Sequence, residues 1–115
     1  MPLLKLETTV ALSESKQDVL LAGLSKLVVE GIGKPEQYVM VTIQQSPMQM
    51  SGKPGDAAFA DIRSIGGLSG DVPKRLSRKV CELLKEQLGI SSDRVYINFT
   101  DVKAANWGWN GSTFG

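Results

Sequence analysis

A proline stands second in the chain, ahead of the alternating segment Leu3–Val10. If Met1 is removed, Pro2 carries a free secondary amine, and an amine fixed at the end of a strand is a base. A plain reading is equally open, because proline has no N–H for a ladder and the first position of a strand tolerates it. An α-amine ordinarily titrates near about 7.7–8, a secondary amine is intrinsically more basic, and a general base works best near the operating pH. Burial and a neighbouring cation both lower an amine's pKa. Leu3, Leu4 and an aromatic tail can supply the burial. Lys34 in Gly33-Lys34-Pro35 can supply the cation, and so can Lys53 in Gly52-Lys53-Pro54. Spacing does not choose between them, and either can be a solvated turn residue. The turn Ser64-Ile65-Gly66-Gly67 leaves backbone N–H groups near a helix start, which suits an anion such as a carboxylate or is simply a strand–helix turn. Tyr96 and Asn98 share one strand face, opposite Val95, Ile97 and Phe99. They read either as a site or as a satisfied core hydrogen bond.

Absent residue types remove other chemistries. The chain has no histidine, which excludes His-based triads, His metal sites and His acid–base catalysis. It has one cysteine, Cys81, so no internal disulfide or CxxC centre forms. The helical spacing of Cys81 with Leu84 and Leu88 favours packing over reactivity. With 115 residues, 42% hydrophobic and 22% charged, the chain reads as one domain spanning 1–115 with a small core. A net charge of +1 without a basic run gives no footprint for nucleic acid. No stretch reaches the length of a membrane span, and Lys5 and Glu7 interrupt the first apolar run, so neither a membrane partner nor a signal peptide is expected. The expected location is the cytoplasm, or export without a signal peptide. Asn98-Phe99-Thr100 and Asn110-Gly111-Ser112 match the glycosylation sequon, but neither is expected to be modified.

The elements that must position these residues follow from periodicity. Residues 3–10 alternate as a strand, with Leu4, Leu6, Thr8 and Val10 on one side. A helix follows, with Leu20, Leu24, Leu27 and Val28 as its apolar stripe. Ser15 and Asp18 form a loose capping box at its start, and Gly31, Gly33 and Pro35 stop it. Residues 38–44 are a second strand, 46–56 a loop and 57–66 a third strand. A second helix carries Leu76, Val80, Leu83, Leu84 and Leu88, capped by Asp71, with Pro73 in its first turn and Gly89 at its end. Residues 94–102 form a fourth strand. The tail is rich in Gly, Asn and aromatic residues. The fold class is therefore α+β, with two β-α-β units forming a four-stranded mixed sheet and both helices on one face. The other face needs a cover, and a second subunit is the natural one.

Together, Met1-Pro2, Gly33-Lys34-Pro35-Glu36-Gln37-Tyr38-Val39, the Ser64–Gly67 turn, Ile90–Phe99, Asp101–Asn106 and the ending Gly108–Gly115 resemble the macrophage migration inhibitory factor and D-dopachrome tautomerase family of the tautomerase superfamily. The resemblance spans essentially the whole chain. It implies a homotrimer with active sites between subunits and tail residues against a neighbour. It also implies a cofactor-independent keto–enol tautomerase for phenylpyruvate-like or dopachrome-like substrates. Pro2 matches the family's base, Lys34 the lysine that meets the substrate carboxylate, and Ile65 the residue whose backbone N–H assists. Tyr96 and Asn98 match pocket residues given across the interface, and Tyr38, Trp109 and Phe114 match aromatic positions near the pocket. Arg63 stands where the family has a histidine near the site, and is expected to reach the same carboxylate as Lys34. Trp107 replaces a smaller aliphatic residue, and Leu3 a methionine. Ala57-Ala58-Phe59-Ala60 lacks the CxxC of the vertebrate cytokine, which removes thiol–disulfide activity. The family also contains secreted cytokine-like ligands, so receptor binding is the alternative function, and a trimeric scaffold with a relic pocket is a third.

Overall fold

The computed structural model describes residues 1–115. Strand β1 (Leu3–Thr8) leads to helix α1 (Glu14–Ile32), then strand β2 (Met40–Gln45). Strand β3 (Ala58–Ser64), helix α2 (Val72–Leu88) and strand β4 (Val95–Asp101) repeat that unit. A hairpin of β5 (Gly108–Trp109) and β6 (Ser112–Thr113) ends the chain. The large sheet has the order β2-β1-β3-β4. β1 runs parallel to β2 and antiparallel to β3, and β3 runs parallel to β4. This is the mixed sheet of two β-α-β units that the sequence pattern implies.

Alternation along each strand sorts the two faces. Leu4, Leu6, Ala60, Ile62 and Val95 join Leu20, Leu24 and Val28 of α1 and Leu76, Val80 and Leu84 of α2 in one core. On the other face, no helix covers Met40, which is 65% exposed, or Tyr96, which is 69% exposed. Cys81 is half-buried and packs against the core, and burial pushes its thiol up. No helix is long and apolar enough to cross a membrane.

Two caps differ from the sequence expectation. Ser13, not Ser15, caps α1, its Oγ accepting the Lys16 N–H at 3.3 Å. Ser13 has the extended backbone (φ −66°, ψ 159°) that aims a side chain at the first turn, and Ser15 is already helical. Asp71 occupies the cap position of α2 but makes no side-chain cap. Its φ of −93° and ψ of 9° depart from that extended geometry, and its carboxylate pairs with Arg75 at 3.3 Å instead. Pro73 in the first turn of α2 and Gly89 at its end stand as expected.

Candidate active site

Pro2 sits at the mouth of β1, a central strand with neighbours on both sides. Its carbonyl accepts the Met40 N–H at 3.1 Å, which continues the β1–β2 pairing one residue before the strand begins. Its own missing N–H costs nothing at that position. Pro2 is fully buried. The Met1 α-amino group is held below its usual value, first by desolvation and then by the charge of Lys34. Lys34 reaches that place because α1 ends in Gly33, whose left-handed backbone (φ 79°, ψ 30°) turns the chain while its N–H bonds the Val29 carbonyl. A short 3-10 turn, Glu36–Tyr38, then feeds the chain into β2.

A cleft of about 540 Å³ opens at this end of the sheet, with Met1, Pro2 and Leu3 in its wall. Tyr38, Trp109 and Phe114 form an aromatic cluster along another side. Trp109 and Phe114 stack at 5.6 Å between centroids, and Tyr38 meets each edge-on at 6.0 Å. The tail is pinned there by the Phe114 N–H bonding the Trp107 carbonyl at 3.1 Å, and Trp107 also lines the cleft. Arg63 is its only charged side chain, and no carboxylate faces it. An apolar cavity with an amine and an arginine, and no acid, is suited to an organic anion. An amine kept neutral there can take a proton from bound ligand.

The topology separates the two lysines that spacing left equal. Lys53 lies in the loop between β2 and β3, at the far end of β1 from Pro2, because Thr8 faces Gln45 and Ala58. Six residues of strand span about 20 Å. That loop is organised by Arg94, whose guanidinium donates to the carbonyls of Met50, Lys53, Gly55 and Asp56. Lys53 is therefore no neighbour of the amine. Ile65 is half-buried two residues beyond Arg63, which pairs with Leu3, so it stands at the Pro2 end but outside the cleft lining. In the same turn the Gly66 N–H donates to the Asp101 carboxylate at 2.9 Å, so one of the anion-seeking amides already holds an internal anion. Tyr96 and Asn98 project from the uncovered sheet face and do not line this chain's cleft. The reading of them as a buried core hydrogen bond is thereby corrected, since both are exposed.

Several lining residues escaped the sequence reading. Met40 and Val102 reach the cleft through register: Met40 pairs with Leu3, and the Val102 N–H bonds the Ser64 carbonyl at 2.8 Å. A single sequence carries no register signal for parallel strands. Asn106 arrives on a 3-10 turn, Ala104–Asn106, within the segment that carried the resemblance.

The family model described as Macrophage migration inhibitory factor (MIF) matches residues 1–115. A macrophage migration inhibitory factor of Xenopus tropicalis is 41% identical over 102 residues, covering 88% of this chain and 89% of its own. That of Meriones unguiculatus is 40% identical over 115 residues, covering 99% of each. The solved structure of a homologue from Prochlorococcus marinus superimposes with a TM-score of 0.93 at 41% identity, over 98% of this chain and 99% of that one. A macrophage migration inhibitory factor-like protein from Entamoeba histolytica gives a TM-score of 0.94 at 34% identity, over 98% of both chains.

Proposed function

The chain belongs to the macrophage migration inhibitory factor family, whose membership supports a tautomerase or cytokine-like role, and from that premise we propose that it is a cofactor-independent keto–enol tautomerase with Pro2 as its base. One observation carries the proposal: Pro2 is buried at the edge of an acid-free apolar cleft, where desolvation and Lys34 already depress the chain's terminal amine. With Met1 removed, the Pro2 nitrogen becomes the terminal amine at the mouth of β1, in the wall of the same cleft and one residue nearer the sheet. Both causes favour its neutral form at ordinary pH.

The proton transfer runs through the Pro2 nitrogen. The neutral Pro2 nitrogen takes a proton from the carbon beside the ketone of a phenylpyruvate-like or dopachrome-like substrate. The electron pair of that C–H bond moves into the enolate, and Pro2 becomes a cation. The same proton then returns to the enolate oxygen, so substrate and product are isomers and Pro2 is restored. Lys34 and the Ile65 N–H, both at the Pro2 end of the sheet just beyond this chain's cleft lining, hold the substrate carboxylate at the rim, and Tyr38, Trp109 and Phe114 enclose its ring. Tyr96 and Asn98 complete the pocket from a neighbouring subunit of a homotrimer. Support for that last step is their outward placement on an uncovered sheet face. Turnover of phenylpyruvate by protein that begins with Pro2 tests the reading. No turnover by such protein overturns it. The cytokine-like alternative is supported by the relatives' names, and binding to a receptor that survives loss of the Pro2 amine would favour it.

A further inference from the structure

Arg63 carries the one charged side chain in the cleft wall, and its surroundings are more specific than a loose surface cation requires. It lies on the uncovered face of β3, directly across from Leu3 of β1. Asp61, two residues earlier on the same face, grips it side-on: Nε donates to Oδ1 at 3.4 Å and Nη2 to Oδ2 at 3.0 Å. The Asp61 side chain is 18% exposed and that of Arg63 is 50% exposed, so the carboxylate is the anchored member and the guanidinium reaches outward. Lys5 is the cross-strand neighbour of Asp61, yet the ion pair closes on Arg63. Whatever the pair adds to stability, its two-bond geometry fixes the orientation of the guanidinium. The side-on grip uses Nε–H and one Nη2 hydrogen. It leaves both Nη1 hydrogens and the second Nη2 hydrogen as an unused fork, the geometry that takes a carboxylate through two parallel bonds.

We propose that Asp61 is a positioning residue that aims Arg63 into the cleft, and that the paired arginine selects 2-oxo acids bearing a second acidic group on an apolar body. The substrate class rests on the tautomerase reading. Lys34 belongs to the connection into β2 and Arg63 to β3, and these strands flank β1 on opposite sides. The backbones of those two strands lie about 10 Å apart, and the grip of Asp61 occupies the Nε side of the guanidinium, so Arg63 offers its remaining fork to an anion other than the one assigned to Lys34. A second anion on the substrate is the partner that the free fork fits. The proposal thus assigns one acid to each cation, where the sequence reading puts both on a single carboxylate.

The chain's two tryptophans, Trp107 and Trp109, both line the cleft, so quenching of their fluorescence reports binding independently of turnover. The probes are phenylpyruvate and phenylpyruvate carrying a ring carboxylate. The native protein is expected to bind the dicarboxylate about tenfold or more tightly, the scale of a charge-assisted hydrogen bond. Arg63→Gln should bring the preference within about twofold. Asp61→Asn should weaken dicarboxylate binding several-fold although it adds net positive charge beside the cleft. Tighter binding by Asp61→Asn would show that Asp61 only screens Arg63, and would overturn its positioning role. Equal affinities in the native protein would overturn the substrate preference. Phenylpyruvate turnover measured alongside separates the two claims: binding preference without turnover upholds this proposal and defeats the catalytic one, and turnover without preference does the reverse.

Discussion

Lys34 influences the terminal amine from outside the cleft lining, and that sets a test at the scale of one residue. A neighbouring cation disfavours the protonated amine. Without it the proton binds more tightly, and the neutral base emerges at higher pH. The rate constant kcat/KM of the native protein should rise with pH to a plateau, and Lys34→Ala should move the midpoint of that rise upward. At the Met1 amine desolvation is the larger cause and does not depend on the lysine, so the midpoint in Lys34→Ala should still fall below that of an ordinary amine. The same substitution should raise KM for phenylpyruvate about tenfold or more, the cost of a lost charge-assisted bond to the carboxylate. Lys53→Ala should change neither. A pH–rate profile for each variant checks this, and an unmoved midpoint in Lys34→Ala would remove the lysine from the account. At this scale the sequence offered two equivalent lysines in two GKP turns. Only the order of strands shows that one turn is beside Pro2 and the other at the opposite end of β1.

Between elements, α1 and α2 approach closely at Gly31. A Cβ there would fall on Leu76 Cδ2 and lie 2.9 Å from Leu76 Cγ, and Leu76 is buried with little room to move. Alanine is the better helix former by about 1 kcal/mol, but overpacking costs about 1–3 kcal/mol. Gly31→Ala should therefore destabilise the fold by about 1 kcal/mol, read as a lowered urea midpoint. A raised midpoint would mean that Leu76 repacks freely. Both helices were legible because their apolar stripes recur at helical spacing, and their glycine ends because a left-handed residue is required there. The α1 cap was not, since Ser13 and Ser15 both fit the composition and only backbone angles distinguish them. The β5–β6 hairpin was also missed. Its strands are two residues each, too short for periodicity, although Asn110-Gly111 carries the turn signal: both residues have positive φ, 52° and 78°.

Across the whole molecule, the helices cover one sheet face and leave the other bare. Met40 and Tyr96 are exposed there, and β2 and β4 present unpaired edges. Exposed strand edges and apolar side chains are normally covered. We expect a homotrimer that buries this face and brings Tyr96 and Asn98 to a neighbour's cleft. Light scattering at micromolar concentration should give three times the 12.4 kDa chain mass. A stable monomer would contradict it. The need for a cover was legible in the alternation of the strands. The cleft was not, because its walls come from the chain's first residues, the β2 entrance, β3 and the tail, and only the folded register brings these together.

The central claim is that a free Pro2 amine is the base. Phenylpyruvate tautomerisation should be measured on two preparations whose N-termini are verified by mass spectrometry, one beginning at Pro2 and one retaining Met1. In the second the Pro2 nitrogen is an amide and has no basicity to offer. The account predicts turnover in the first and its loss in the second. Equal turnover by wholly Met1-retained protein would contradict it.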